Sequence, residues 1–306
     1  MIIMCLFCPR CCSESSMFIS KNRFILKTCG TTTLLKALSP LLLVVQTITG
    51  FDKVMDIFYT RKNFMRPELQ DFLHKSFENE LCLLKKLFPQ GSAYRLGQNN
   101  QDCWYMFTLN PVPKYRAGIT VPDQTMEISF LGLSVIFFKI TCTQISFFFK
   151  IQWVHVIMHE LDPAVMSIFT QLESTSAEEA SRKSGISTLF QDMIIDDYLF
   201  EPCGYSMNGL LKGGYYLTIH VTPEPHCSYV SFETNFPQEN YDELMRRVVA
   251  LFKPGKFLAT VLANKASVAR EKQLVHEPTG FQCKEHQLCQ FENYTLNYAL
   301  YTKFPS

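Results

Sequence analysis

Two short apolar runs, Met17-Phe18-Ile19-Ser20 and Arg23-Phe24-Ile25-Leu26-Lys27, flank the polar pair Lys21-Asn22. That pattern predicts a hairpin over 17–30. A turn centred on Lys21-Asn22 sets Ser15 nearly opposite Thr28 and Cys29, to within about one residue, because turn type sets register. Residues 32–47 then predict an apolar helix bent at Pro40. Alternation or β-branched and aromatic enrichment predicts strands at 103–109, 215–221, 228–235, 256–262 and 294–301. Helices are predicted at 163–172, 177–183 and 241–252. The second carries a capping box, Ser176 with Glu179 three residues on. The third sets Leu244, Val248, Leu251 and Phe252 on one face and stops at Pro254-Gly255. Hairpins mixed with helices imply an α+β architecture rather than strict βα alternation.

Residues 129–157 break the pattern, being almost wholly apolar. They are long enough to cross a bilayer, which takes about twenty residues. Lys139 and Lys150 fall inside, however, and each costs about 2.5–3.5 kcal/mol at a membrane centre. The Phe and β-branched content reads as strand instead, and no membrane span is expected.

Composition narrows the class. With 47% apolar and 19% charged residues, a 306-residue chain is globular and able to bury a core. Lys+Arg 29 against Asp+Glu 28 leaves +1, with no basic run, which argues against nucleic acid or an anionic membrane as the main partner. Phe 26 and Tyr 13 suit a β-rich core or a pocket for a flat heterocycle. The twelve cysteines scatter without repeated pairing, and no secretory leader is visible, so reduced thiols and a cytosolic location are expected. The Asn293-Tyr294-Thr295 sequon should then be silent. Cys5, Cys8, Cys11 and Cys12 crowd into eight residues, a poor match to two separated pairs closing a zinc tetrahedron, and no metal is expected.

Four segments carry usable chemistry. Ser13-Glu14-Ser15-Ser16-Met17-Phe18 reads blandly as a polar loop entering a strand. In Lys27-Thr28-Cys29-Gly30-Thr31-Thr32 a thiol sits on a strand-to-helix turn, where cysteine is more often a small buried residue than a catalyst. Phe200-Glu201-Pro202-Cys203-Gly204-Tyr205-Ser206-Met207-Asn208-Gly209 is a glycine-punctuated turn before a strand. In His220-Val221-Thr222-Pro223-Glu224-Pro225, the histidine shares a strand face with Tyr216 and Thr218, and Glu224 sits on a proline-bracketed turn. Each alone is weak, and a lone strand histidine is usually structural.

Together, in order and spacing, and with Tyr229-Val230-Ser231-Phe232-Glu233-Thr234-Asn235 and Phe252-Lys253-Pro254-Gly255-Lys256-Phe257, they resemble the eukaryotic S-adenosylmethionine decarboxylases. The resemblance covers most of 13–128 and 158–306. It implies a four-layer α/β/β/α sandwich of two antiparallel sheets with helices outside, as a single domain over 1–306. It implies self-cleavage between Glu14 and Ser15, giving a residual β-chain, 1–14, and an α-chain, 15–306. Ser15 would become a pyruvoyl cofactor that forms a Schiff base with S-adenosylmethionine and draws electrons from it as carbon dioxide leaves. The product, decarboxylated S-adenosylmethionine, feeds spermidine and spermine synthesis. By the same resemblance His220 is the proton acceptor in processing and Ser206 supports its oxygen-rich intermediate. Cys29 returns a proton, Phe200 stacks on adenine and helps hold the sulfonium, and Glu224 binds the ribose. Asp123, Glu127 and Glu233, with Lys27 on the path to the reaction centre, match the buried site for putrescine, an activating dication. A homodimer of processed αβ units is the expected assembly.

Two departures qualify the match. Only twelve unrelated residues precede Ser13, where the family carries a strand, a second adenine-stacking phenylalanine and pocket glutamates. In the family the run after Glu127-Ile128 passes almost directly to the equivalent of Met158, so 129–157 reads as an insert of the kind a retained intron encodes, expected to pack poorly. The alternative reading is a catalytically inactive relative acting as a regulatory partner.

Overall fold

Strand β1 (Ile2–Phe7) pairs antiparallel with β2 (Glu14–Ser20), and β2 with β3 (Arg23–Thr28). The Ser20–Arg23 pair leaves residues 21 and 22 as the two-residue connection, where the sequence pattern predicts it. Register then follows from counting: Ser15 stands opposite Thr28 and Ser16 opposite Lys27. The computed structural model describes residues 2–7, 14–20, 23–51, 53–98, 102–109, 125–129, 136–141, 152–264, 267, 269, 277–291 and 294–304. The chain divides into two compact units, 1–146 and 147–306.

In the first unit, helix α1 (Leu34–Thr49) buries Leu34, Leu35 and Leu38 in its first turns, carries Pro40 within, and exposes its later residues. It ends at Gly50 in the left-handed region (φ +70°), the conformation that glycine adopts at least cost. Strand β4 (Lys53–Lys62) precedes α2 (Phe77–Leu87), which Ser76 caps by accepting from the Asn79 N–H at 3.2 Å. Strands β5 (Gly91–Leu96), β6 (Trp104–Leu109), β7 (Thr125–Ser129) and β8 (Ile136–Thr141) follow. They complete two four-stranded arrays, β1-β2-β3-β8 and β5-β6-β4-β7, in which only β4–β7 is parallel.

The second unit is one eight-stranded antiparallel sheet built from β9 (Gln152–Leu161), β10 (Ile194–Leu199), β11 (Tyr205–Leu211), β12 (Tyr215–Thr222), β13 (Tyr229–Thr234), β14 (Pro254–Asn264), β15 (Phe281–Gln290) and β16 (Tyr294–Lys303). Its order is β10-β11-β12-β13-β9-β14-β16-β15. One face is apolar: Val154, Val156, Met158, Leu217, Ile219, Val230 and Phe232 pack with residues of α3 (Pro163–Ser167), α4 (Ala177–Ser184) and α5 (Asp242–Phe252). The other face carries the polar side chains of the same strands, and most of these are also buried.

Most predicted elements lie within two residues of their observed bounds. The helix predicted at 163–172 is shorter. It ends at Ser167, and the chain turns so that Thr170 bridges to Cys203. Helix α5 stops at Phe252, before Pro254-Gly255 as predicted, and Pro254 is also the first residue of β14, with Lys253 (φ +47°) making the corner. Residues 152–157, expected to pack poorly, form the buried first half of β9, flanked by β13 and β14. Asp123 and Lys150 lie outside the described residues, as do Cys8, Cys11 and Cys12.

Candidate active site

The first group of candidate residues lies in the first unit. Ser15 follows Glu14, the first residue of β2, and is 9% exposed; Thr28 opposite it and Cys29 beyond it are buried. Thr28 Oγ1 makes no hydrogen bond among the described residues. A buried hydroxyl in that condition costs about 1–3 kcal/mol and calls for an explanation beyond packing. Thr28 stands opposite Ser15 across the β2–β3 pair. Lys27 is fully buried one position before, on the other side of β3. The side chains of Glu14 and Glu127 lie outside the described residues, and Glu127 occupies β7.

The second group lies in the second unit, where cross-strand register assembles it from four strands. Opposed residues in a sheet put their side chains on one face about 4.5–5.5 Å apart at Cβ. On the polar face Tyr198, Ser206, His220 and Ser231 form one such row across β10, β11, β12 and β13. The next row is Asn208, Thr218, Glu233, His155 and Thr260, reaching β9 and β14. Ser206, His220, Ser231, Glu233 and His155 are all buried. Tyr216 donates its hydroxyl to Glu233 Oε1. Ser206 Oγ and Ser231 Oγ have no hydrogen-bond partner among the described residues.

Two candidates come from turns. Phe200 precedes a loop closed by its own N–H donating to the Gly204 carbonyl at 2.8 Å, while the Gly204 N–H donates to the Phe169 carbonyl at 3.0 Å. Gly204 has φ +115°, which a side chain would strain. The Phe200 ring is half-buried and meets Tyr198 edge-on at 4.8 Å. Glu224 follows β12, and its Oε2 is buried with no hydrogen bond among the described residues, an acceptor available to a ligand hydroxyl. Burial and the Glu224 carboxylate push the nearby Cys227 thiol upward. Among the described residues no group of three or more His, Cys, Asp or Glu is placed to hold a metal, and no helix is long and apolar enough to cross a membrane.

A model of the adenosylmethionine decarboxylase family matches residues 11–302. The chain belongs to the adenosylmethionine decarboxylase family. It is 43% identical over 292 residues to the S-adenosylmethionine decarboxylase proenzyme of Xenopus laevis, covering 95% of this chain and 78% of that one. It is 44% identical over 309 residues to the Drosophila melanogaster proenzyme, covering 95% and 79%. Among solved structures it resembles a Trypanosoma brucei AdoMetDC monomer at TM-score 0.65 and 22% identity, over 94% of this chain and 99% of that one. That likeness supports the α/β/β/α architecture, and each unit taken by itself contains sheet and helix. As an adenosylmethionine decarboxylase the chain is a carboxy-lyase.

Motif matching assigns roles to Ser206 and His220 but none to Ser231 or His155, whereas the hairpin pattern already sets Thr28 opposite Ser15. The signal for Ser231 and His155 is register: each is identified only when a neighbouring strand sets it beside a candidate. Alternation along 228–235 does put Ser231 and Glu233 on one face, which was the available clue.

Proposed function

We propose that this chain is a proenzyme that cuts itself between Glu14 and Ser15 and, through the pyruvoyl group so formed, decarboxylates S-adenosylmethionine for polyamine synthesis. The observation that carries the reading is the Ser206–His220 pair, a base beside a partnerless hydroxyl, buried on one face of a sheet whose other face is apolar. Burying a titratable ring and an unsatisfied oxygen there weakens a sheet, which favours a site of chemistry.

Ser15 Oγ adds to the Glu14 carbonyl, and the peptide nitrogen leaves as an amine, turning the amide into an ester. Ser206 supports the oxygen that bears negative charge on the way. His220 then takes the α-proton of Ser15, and the electron pair of the Cβ–O bond leaves with Glu14 as its carboxylate. Water replaces the enamine nitrogen, ammonia is released, and residue 15 ends as the pyruvoyl group. Once formed, that group supplies the electron sink for loss of carbon dioxide, as pyridoxal phosphate does elsewhere. The chain's other residues hold and protonate. Phe200 offers a face to the adenine and the sulfonium. Glu224 accepts from the ribose hydroxyls, and Cys29 keeps its proton until it returns it to carbon. Asp123, Glu127 and Glu233, with Lys27, are proposed to respond to putrescine as an activator. A cytosolic homodimer of processed units completes the reading.

Mass spectrometry of the purified chain tests it. Incubation should convert the 35.3 kDa chain into fragments 1–14 and 15–306, and carboxyl-labelled S-adenosylmethionine should then release labelled carbon dioxide. A chain that stays whole under all conditions, and releases no label, sinks the proposal.

A further inference from the structure

Ser231 stands at the middle of β13, fully buried, with His220 as its partner on β12 and Ile157 as its partner on β9. Its hydroxyl oxygen has no hydrogen-bond partner among the described residues. Alanine or valine would pack there without a stranded polar atom, and valine would suit the strand better. Ser206 flanks the same imidazole from β11, also with a partnerless oxygen. Two spare acceptors on either side of one ring have a chemical meaning. Neutral imidazole carries one N–H, but after taking a proton it donates from both nitrogens. Of the two ring nitrogens of His220, Nδ1 is buried without a hydrogen bond among the described residues, so an imidazolium there needs one further acceptor. A serine reaches a cross-strand neighbour by rotating χ1 alone, with no movement of backbone.

We propose that Ser231 is a positioning residue for self-cleavage: its Oγ accepts a hydrogen bond from the His220 imidazolium once the Ser15 α-proton has been taken. The inference rests on the processing role proposed for His220. Ser231 moves no proton itself; the proton passes from the Ser15 Cα to His220, and Ser231 favours the protonated ring. The other titratable side chains in this row and the two beside it on the sheet are Tyr198, Glu285, Asp196, Glu233, His155, Tyr298, Tyr229, His159 and Lys256, all retained when Ser231 is changed.

The test uses the full chain with Ser15→Ala to hold it whole. The His220 ring is titrated by NMR, its signal assigned by loss in His220→Gln. Ser231→Ala should lower the ring's apparent pKa by about one unit, and Ser231→Thr, which keeps the oxygen, by at most a few tenths. With Ser15 intact, Ser231→Ala should slow cleavage about tenfold and move the acid limb of the pH–rate profile to lower pH, with Ser231→Thr restoring both. Should Ser231→Ala not fold, Ser231→Cys, close in size and a weak acceptor, takes its place and should lower the same pKa. An unchanged ring pKa overturns the proposal, even where cleavage slows, because a purely structural serine would slow it without moving the titration. A lowered pKa in a chain that never cleaves leaves the contact standing and removes the processing reading instead.

Discussion

Arg61 and Glu80 are almost wholly buried, and the Arg61 Nε–H meets both carboxylate oxygens at 2.9 and 2.8 Å. His74 Nδ1 lies 2.8 Å from the same carboxylate, and the guanidinium lies over the rings of Phe64 and Tyr105 at 4.6 and 4.7 Å. Burial, the largest single influence, would lower the Arg61 pKa, but Glu80 together with Tyr59 and Tyr105 outweighs it and the net shift is upward. Glu80→Ala strands that cation in an apolar site, and breaking a buried pair from one side costs about 3–5 kcal/mol. Thermal unfolding should therefore drop by roughly 10 °C or more. Arg61→Met with Glu80→Leu should recover most of the loss, since hydrophobic replacement of both partners leaves no stranded charge. A fall of less than about 3 °C in Glu80→Ala would show that water reaches Arg61. Nothing local in the sequence announces this cluster. Arg61 and Glu80 are 19 residues apart, and only the fold makes them neighbours. Glu224 differs, because its proline-bracketed turn is readable directly. Glu224→Ala should raise KM for S-adenosylmethionine about tenfold with a smaller effect on kcat, in steady-state assays of processed protein.

At the scale of elements, what was legible was local. The capping-box pattern at Ser176 and Glu179 announced α4, and the structure has its N-cap half: the Glu179 N–H donates to Ser176 Oγ at 3.1 Å. The Glu179 carboxylate accepts from the Thr175 N–H and hydroxyl and pairs with Lys183 four residues on. Those contacts, the Thr175 bonds first, lower its pKa from 4.5 to about 2. A depressed carboxylate adds stability that is fully present above its unfolded pKa and is lost as pH falls through the folded one. The α4 amides should therefore lose hydrogen-exchange protection between about pH 4.5 and 2, and Glu179→Gln should remove that dependence. Equal pH dependence in both chains would contradict the assignment. Helix α3 shows the limit of local reading. Its apolar pattern continues past Ser167, but the Thr170–Cys203 bridge, made across more than thirty residues, takes the chain out of helix.

At the scale of the whole molecule, β9 carries the largest difference between expectation and structure. Residues 152–157 belong to the stretch that reads as an insert, yet they fill the centre of the eight-stranded sheet and put His155 opposite both Glu233 and Thr260. Sequence pattern could not show this, because an apolar run fits a central strand and an excursion equally well and pairing partners lie 74 or more residues away. The alternation of β9 sharpens the boundary of any removable segment. Val154, Val156 and Met158 face the apolar core, whereas His155 shares the row of Glu233. Deleting 129–156 joins Ile128 to Ile157, which sets Met126 and Ile128 at the core positions of Val154 and Val156 and brings Glu127 to the place of His155. Deleting 129–157 instead shifts every upstream residue by one and drives Glu127 into the core, since a one-residue slip exchanges the two faces of a strand. The first variant should fold, gather Glu127 with Glu233, and gain putrescine binding over the parent chain by calorimetry. The second should lose several kcal/mol of stability or fail to fold. If both deletions behaved alike, β9 register would not govern the acidic site. If the first folded without gaining affinity for the diamine, the putrescine role proposed for Glu127 and Glu233 would fall while the fold argument stood.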